Sequence, residues 1–161
     1  MKDKKIIKIF KKNQWFRAGA GAVILNDQGE VLAFERRDTP GSWQFPQGGL
    51  DPNEEPLNAV FREVEEETGI KKKHLQLITT KSKLLAYELP LDFRSGKLGR
   101  GQIQYWFLLR LIGPESVIGL GDHEEFHDWK WTKMEDLVKE VVGFRREVYQ
   151  DLARFVEAHV N

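Results

Sequence analysis

The chain has 161 residues, of which 40% are hydrophobic and 31% are charged, a composition too apolar for a disordered chain and too polar for a membrane protein. The 25 basic side chains equal the 25 acidic ones in number, which excludes nonspecific attraction of nucleic acid by net charge. The absence of cysteine excludes disulfides, thiolate metal sites and a cysteine nucleophile.

Residues 1–12 form a basic segment with six lysines and one aspartate. Lys8 interrupts the apolar run that a signal peptide requires, and no stretch of 18 consecutive apolar residues follows. We therefore expect a basic N-terminal tail at residues 1–12, a single domain at residues 13–161, a cytoplasmic location and no contact with membranes.

A hairpin is predicted to open the domain. Residues 17–25 and 30–36 read as strands, and Asn26-Asp27-Gln28-Gly29 between them has the composition of a turn. The following residues 42–49 contain Pro46 and paired glycines, which favour a loop or an irregular strand.

A helix is predicted for residues 51–67. Its apolar stripe, at helical spacing, comprises Leu57, Val60, Phe61 and Val64. Asp51 or Asn53 is expected to cap the start, and Gly69 is expected to end the helix in a left-handed conformation.

The remainder of the chain continues this mixture of elements. Strands are predicted for residues 75–81, 83–89, 103–111 and 128–132, and a final helix for residues 144–159. The apolar face of that helix comprises Phe144, Val148, Leu152, Phe155 and Val156. Trp43, Trp106, Trp129 and Trp131 are expected to be structural. The pattern predicts one mixed α/β domain.

Three carboxylates crowd one side of the helix predicted for residues 51–67. Glu63, Glu66 and Glu67 lie within an arc of about 100° beside the apolar stripe. Their charges repel one another, and only Arg62 is nearby in the sequence as a counter-charge. A hard divalent cation, Mg²⁺ or Mn²⁺, would compensate them through oxygen ligands. From the helix alone, a solvated acidic face explains the pattern equally well.

A longer pattern surrounds these carboxylates. It comprises Gly48, Glu54, Arg62, Glu63, Val64, Glu66, Glu67, Gly69 and Ile70. At each of these positions and spacings the chain resembles the Nudix box, the signature of the Nudix hydrolases. The resemblance implies an α/β/α sandwich around a mixed sheet, and hydrolysis of a nucleoside diphosphate linked to a further group.

The resemblance also implies roles for residues of the box. Glu63, Glu66 and Glu67 would hold the divalent metals, with the Gly48 carbonyl as a further ligand. Arg62 would orient a glutamate through bidentate hydrogen bonds. Metal ions and positioning would carry most of the catalysis, with a glutamate as general base and no covalent nucleophile.

An acidic turn before the last predicted strand offers one more ligand or base. We predict Glu125 for this role, although Glu124 is chemically equivalent and an exposed acidic turn explains the local sequence equally well. His123 and His127 are expected to be surface residues and not metal ligands.

Segments outside the box narrow the resemblance. They lie within residues 42–49, 87–90, 101–109, 125–131 and 141–149. Together they are similar to the RNA pyrophosphohydrolase group, which is close to the diadenosine polyphosphate hydrolases. The first group converts the 5′-triphosphate end of RNA into a 5′-monophosphate, and the second splits dinucleoside polyphosphates asymmetrically.

In this group, cationic side chains hold phosphates and an aromatic ring stacks on a terminal base. The matching positions are Arg17, Arg37, Ser42, Tyr87, Val142, Phe144 and Arg145, and Gln102 and Gln104 could also contact phosphate. Each has a structural alternative, and Phe144 also fits the apolar face of the last helix. Gly143 and Arg145 depart from the Ser and Lys of other members, which changes the hydrogen-bond donors near the base.

The sequence therefore predicts a Mg²⁺-dependent hydrolase that acts on 5′-triphosphorylated RNA and on nucleoside triphosphates. Diadenosine tetraphosphate is the alternative substrate. Two alternatives of another class are a nucleotide-sensing domain without catalysis, which would usually have a degraded box, and a protein-interaction surface on the acidic helix. The sequence leaves open any protein partner.

Overall fold

The computed structural model describes residues 14–122 and 124–160, and the predicted tail at residues 1–12 and His123 lie outside these ranges. The strands are β1 (Phe16–Leu25), β2 (Val31–Arg36), β3 (Trp43–Gln44), β4 (Gln47–Gly49), β5 (Leu75–Thr80), β6 (Leu85–Glu88), β7 (Gly101–Leu111) and β8 (Phe126–Thr132). The helices are α1 (Pro56–Thr68), α2 (Met134–Glu140) and α3 (Arg146–Val160).

These strands form one mixed sheet. Its main path has the order β3-β2-β1-β7-β5, while β4 pairs with β1, β6 with β7 and β8 with β2. Strands β1 and β7 run parallel, from Phe16 opposite Gly101 to Leu25 opposite Arg110. The other pairs are antiparallel.

Helices cover both faces of the sheet. Strand β1 buries Ala22 and Ile24 on the face covered by α1, and Val23 and Leu25 on the face covered by α2 and α3. A strand buried on both faces needs a continuous apolar run, and residues 18–25 of the sequence have one. The α/β/α sandwich implied by the family resemblance is thus confirmed.

Each helix buries one apolar stripe against the sheet. Val60 and Val64 of α1 lie in one core, with Leu57 and Phe61 partly buried beside them, as predicted. The other core contains buried residues of α2 and α3, among them Leu137, Val148, Leu152 and Val156. None of the helices in the described part of the chain is long and apolar enough to cross a membrane.

Helix α1 begins later than predicted. Its first residue is Pro56, and the N-cap residue Glu55 makes no side-chain capping hydrogen bond, so the prediction of Asp51 or Asn53 as the cap is wrong. Residues 51–54 instead form a turn, in which Asn53 has a φ of 63° and the Asp51 N–H donates to the Glu54 carboxylate at 3.0 Å. Gly69 ends the helix with a φ of 76°, as predicted.

Other element boundaries also differ from expectation. The predicted hairpin is present, with Gly29 at a φ of 76°. Residues 42–49 contain the short strands β3 and β4, and helix α2 was not predicted. Helix α3 begins at Arg146, whereas Phe144 lies in the 3-10 turn Gly143–Arg145 that precedes it.

Candidate active site

An acidic cavity of about 250 Å³ lies between β4, α1 and the start of β8. Its carboxylates are Glu63 and Glu67 from α1 and Glu125 from the residue before β8. Arg17 from β1 and Arg145 from the turn before α3 bring positive charge to the same cavity. Residues far apart in the sequence therefore meet here because β1, β4 and α1 pack together.

Gly48 allows the carboxylate of Glu63 to lie against the backbone of β4. A β-carbon at position 48 would overlap the carboxyl group of Glu63. Likewise, a β-carbon at Gly49 would overlap the guanidinium group of Arg17. The paired glycines thus form the floor of the cavity because neither has a side chain.

A second backbone contact fixes the end of α1. The Gly119 N–H donates to the Thr68 carbonyl at 2.8 Å. Gly121 has a φ of 65°, and a β-carbon there would overlap the carbonyl oxygen of Glu66. The segment before β8, which leads to Glu125, therefore packs on the C-terminal end of α1.

Arg62 holds the acidic residues of the box together. Its guanidinium donates two hydrogen bonds of 2.8 Å to Glu54, one of 2.8 Å to Glu63 and one of 3.2 Å to Glu66. A further bond of 2.9 Å reaches the Gly49 carbonyl. Glu66 lies outside the cavity wall, with a side chain 38% exposed. Arg62 thus orients several carboxylates at once.

Burial and mutual repulsion govern the charge of the cavity. Burial raises the pKa of the Glu67 carboxyl well above its ordinary value, and the neighbouring charge of Glu125 adds to this rise. Burial also raises the pKa of Glu63, although Arg62 opposes the effect. Outside the cavity, hydrogen bonds from Arg62 lower the pKa of Glu54 to about 2. The cavity therefore concentrates negative charge that a bound cation would stabilise.

The donor set suits a hard divalent cation. Among residues 14–122 and 124–160, no three acidic or histidine side chains already have the arrangement of a metal site. The cavity nevertheless has carboxylate oxygens from Glu63, Glu67 and Glu125, and it lacks histidine in its wall. Such cations take oxygen ligands and keep water or phosphate in their remaining positions. The residues present therefore fit Mg²⁺ or Mn²⁺ better than zinc.

A second cavity of about 340 Å³ adjoins the first. Arg145 and Gln102 belong to the walls of both. One wall of the second cavity is aromatic, with the rings of Tyr87 and Phe144 centred 5.7 Å apart. The lining of this cavity also includes the polar residues Arg36, Asp38 and Ser42. A cavity that combines aromatic rings with hydrogen-bonding groups suits the flat face and the polar edge of a nucleobase.

Five of the residues predicted to bind substrate line this second cavity, namely Ser42, Tyr87, Val142, Phe144 and Arg145. The hydroxyl oxygens of Ser42 and Tyr87 and the Nε of Arg145 are buried without a hydrogen-bond partner. Buried polar atoms normally have partners, so each of these atoms lacks a hydrogen bond that a bound ligand or an ordered water molecule would supply. Arg17, also predicted, lines the acidic cavity instead.

Two other predicted residues lie outside both cavity walls. The side chain of Arg37 donates to the Glu124 carbonyl at 3.1 Å. Gln104 is buried, donates to Gln47 and Gln102, and accepts from the Trp106 indole at 3.2 Å. Its amide groups are therefore occupied within the protein.

Arg36, the residue before Arg37, lines the second cavity. Its guanidinium is 3.3 Å from the Glu125 carboxylate and makes two bonds of 2.8 Å to Asp38. The pairing of β2 with β8 shifts register between Glu35 and Arg36. The extra residue lies in β8, where Glu35 pairs with Asp128 and Arg36 with Phe126. Which of two adjacent arginines meets Glu125 therefore depends on a strand pairing that the local sequence does not reveal.

The two glutamates of the acidic turn before β8 have different positions. Glu125 lines the cavity, whereas Glu124 is exposed and has a φ of 53°. The ring of His127 contacts Glu35 at 2.7 Å on the surface, away from the cavity wall. The prediction of Glu125 has no support in the local sequence that separates it from Glu124.

Comparison with known proteins connects this geometry to a family. The NUDIX domain model matches residues 15–152. The RNA pyrophosphohydrolase of Cereibacter sphaeroides is 37% identical over 150 residues, covering 90% of this chain and 93% of that protein. The RNA pyrophosphohydrolase of Shewanella sediminis is 42% identical over 144 residues, covering 86% of this chain and 83% of that protein.

Two solved structures agree in fold. The E. coli dihydroneopterin triphosphate pyrophosphohydrolase has a TM-score of 0.70 at 23% identity, covering 88% of this chain and 99% of that one. A C. elegans Ap4A hydrolase binary complex has a TM-score of 0.64 at 23% identity, covering 87% and 98%. At this identity the likeness concerns the fold alone. With the domain match and the relatives above, the chain belongs to the Nudix hydrolase family.

Proposed function

We propose that this protein removes pyrophosphate from the 5′-triphosphate end of RNA and leaves a 5′-monophosphate. The observation that carries this proposal is the junction of the acidic cavity with the aromatic one, through the shared wall residue Arg145. Phosphates in the first cavity and a base in the second would then belong to one substrate. The relatives named RNA pyrophosphohydrolase support the same substrate class.

The position of each residue suggests its role in the reaction. Glu63, Glu67 and Glu125 of the acidic cavity would hold Mg²⁺ together with the Gly48 carbonyl, and Glu66, whose carboxylate shares the Arg62 guanidinium with Glu63, would be a further ligand. Mn²⁺ could replace Mg²⁺. When bound, the metal supplies neutralisation of phosphate charge and a lowered pKa of water. Arg17 and Arg145 would bind phosphate oxygens, and Arg62 would keep the glutamates in place.

The reaction is the hydrolysis of one phosphoanhydride bond. A water oxygen attacks phosphorus, the bridging P–O bond breaks, and pyrophosphate leaves with the bonding electron pair. A carboxylate of the set Glu66, Glu67 and Glu125 accepts the proton of the attacking water. We further propose that nucleoside triphosphates are also cleaved, because they contain the same anhydride next to a base.

The substrate also suggests a location and a process. Conversion of the 5′-triphosphate into a 5′-monophosphate changes the chemistry of the RNA 5′ end, on which enzymes of RNA decay act. We therefore place the protein in the cytoplasm and in mRNA decay. The experiments below test the reaction on which this placement depends.

Diadenosine tetraphosphate is the second candidate substrate, because its adenine is also an aromatic base that could stack on the rings of Tyr87 and Phe144. Comparing kcat/KM for a triphosphorylated RNA oligomer and for diadenosine tetraphosphate, with Mg²⁺, separates the two. We expect the RNA to be preferred. Preference for the dinucleotide would reassign the substrate, and cleavage of neither would favour a nucleotide-sensing domain.

A further inference from the structure

Gln44 is a buried polar side chain between two arginines. It belongs to β3, pairs with Phe34 of β2 and is 1% exposed. Its amide oxygen Oε1 accepts a hydrogen bond from Nη1 of Arg36 at 3.3 Å and another from Nη1 of Arg145. One neutral oxygen therefore receives donors from two cationic guanidinium groups.

This arrangement keeps two positive charges side by side. The guanidinium groups of Arg36 and Arg145 repel each other, and the negative end of the Gln44 amide dipole attracts both. The amide nitrogen Nε2 of Gln44 is buried without a hydrogen-bond partner among the described residues. An unpaired buried donor costs free energy, so packing alone does not favour an amide at this position. The accepting oxygen gives the amide another purpose.

The two arginines depend on Gln44 to different degrees. Arg36 also makes two bonds of 2.8 Å to Asp38 and one of 3.3 Å to Glu125. Within residues 14–122 and 124–160, in contrast, Gln44 is the only side chain that accepts a hydrogen bond from the Arg145 guanidinium. Loss of the Gln44 oxygen would therefore release Arg145 and leave Arg36 anchored.

The orientation of Arg145 matters because this residue lines both cavities. Its Cζ lies 5.2 Å from the ring centre of Phe144 and 5.6 Å from that of Tyr87, and its Nε is buried without a partner. Contact with an aromatic face holds a cation near the ring, whereas a hydrogen bond is directional and fixes its rotation. Gln44 supplies the directional contact at Nη1 and leaves Nε for a ligand.

We propose that Gln44 is a positioning residue for phosphate binding. Through its amide oxygen it orients the guanidinium of Arg145, so that the remaining donors of Arg145 bind a phosphate oxygen of the substrate. This inference rests on the proposed function. A side chain that is oriented before the substrate arrives loses less rotamer freedom on binding, which lowers the cost of association. Gln44 acts through Arg145 and does not itself need to touch the RNA.

Steady-state kinetics with a triphosphorylated RNA oligomer tests this role. Gln44→Met keeps the length of the side chain and removes the accepting oxygen. KM should rise on the order of 10-fold, the loss expected for one charge-assisted hydrogen bond. We expect little change in kcat, because Arg36 keeps its bonds to Asp38 and Glu125. Gln76→Met, on the exposed part of β5, is the matched control and should behave like the wild-type protein.

A double-mutant cycle with Arg145→Met distinguishes positioning from a general loss of packing. If Gln44 acts through Arg145, Gln44→Met should raise KM no further once Arg145 is replaced. A purely structural role would raise KM by the same factor in both backgrounds. Equal factors would overturn the inference, as would a wild-type KM in Gln44→Met.

NMR spectroscopy of arginine side chains observes the orientation without any substrate. A restrained guanidinium rotates slowly and gives separate Nη–H signals, whereas a free one gives averaged signals. The signals of Arg145 should be separate in the wild-type protein and in Gln44→Glu, which keeps an accepting oxygen, and averaged in Gln44→Met. Those of Arg36 should stay separate throughout, because its bonds to Asp38 remain.

Two spectra would overturn the inference. One shows averaged Arg145 signals in the wild-type protein, a result that is decisive even if Gln44→Met fails to fold. The other shows Arg145 signals that stay separate in Gln44→Met.

Failure of the proposed function gives a different result. If the wild-type protein leaves triphosphorylated RNA intact, the RNA assignment is wrong, while the Arg145 signals still decide whether Gln44 orients this side chain. If the wild-type protein cleaves the RNA and the cycle shows equal factors, only the role of Gln44 is wrong.

Discussion

Gly48 lies so close to Glu63 that a β-carbon at position 48 would overlap the carboxyl group of Glu63. The contact joins β4 to α1 and places a box carboxylate in the wall of the acidic cavity. The precision of the site therefore depends on the absence of a side chain at one backbone position.

The first prediction concerns this contact. Gly48→Ala should lower kcat/KM for RNA about 100-fold, because displacing Glu63 by about 1 Å disturbs the reacting geometry. The thermal midpoint should change little, since the overlapped group is the end of a flexible side chain. Kinetics together with thermal unfolding test this, and a variant that keeps full activity would contradict the assigned role of the contact.

The second prediction concerns Glu67 in protein stripped of metal with EDTA. Because its pKa is raised in the folded state, the folded protein binds more protons than the unfolded one above the ordinary value of 4.5. The contribution of Glu67 to stability is therefore fully present below pH 4.5 and is lost as pH rises through the raised pKa.

Glu67→Gln removes this dependence and keeps an oxygen that can accept the Gln47 N–H, which now lies 3.2 Å from a Glu67 oxygen. At pH 8 the variant should therefore have a higher thermal midpoint than the wild-type protein, on the order of a few degrees, and no activity. The difference should shrink as the pH is lowered to 5. Lower stability of the variant at pH 8 would contradict this account.

The third prediction concerns Arg62. A lysine cannot reproduce the bidentate contact with Glu54 together with the bonds to Glu63 and Glu66. We expect Arg62→Lys to weaken Mn²⁺ binding and lower kcat/KM by about 10- to 100-fold, the usual cost of losing a group that orients metal ligands. Mn²⁺ titration checks the first effect, and wild-type affinity in the variant would rule out the orienting role.

The fourth prediction compares two adjacent arginines. Arg36→Gln should reduce kcat/KM for RNA by at least about 10-fold more than Arg37→Gln, because losing a charge-assisted bond costs about 1.5–3 kcal/mol. Arg36 contacts Glu125 and lines the second cavity, whereas the Arg37 side chain donates to the Glu124 carbonyl. The opposite order would show that the bound state repositions Arg37 into the site.

These differences show which information the sequence contains. The spacing of Glu63, Glu66 and Glu67 within one helix is local, so it predicts both their common side and their link to Arg62. The α/β/α sandwich is implied by the family resemblance, which rests on the residues of the box. Whether Glu124 or Glu125 reaches the cavity depends on the packing of the preceding segment against α1, which involves residues more than 50 positions apart.

Long-range contacts explain the other differences. Gln104 resembles a residue that binds phosphate, but its partners Gln47 and Gln102 are known only once β4 and β7 are placed. Phe144 fits a helical stripe in the sequence, but the helix begins after it, so its ring lies beside Tyr87 and Phe93. In both cases tertiary packing determines a role that periodicity leaves undetermined.

The most direct test follows the 5′ end of RNA itself. Purified protein is incubated with Mg²⁺ and an RNA oligomer that carries a labelled γ-phosphate, and the products are separated by chromatography, with Glu66→Gln as the control. The account predicts labelled pyrophosphate and RNA with a 5′-monophosphate from the wild-type protein and neither from the variant. The account would be contradicted if the wild-type protein left the 5′-triphosphate of the RNA intact. It would also be contradicted if Glu66→Gln cleaved the RNA as well as the wild-type protein does.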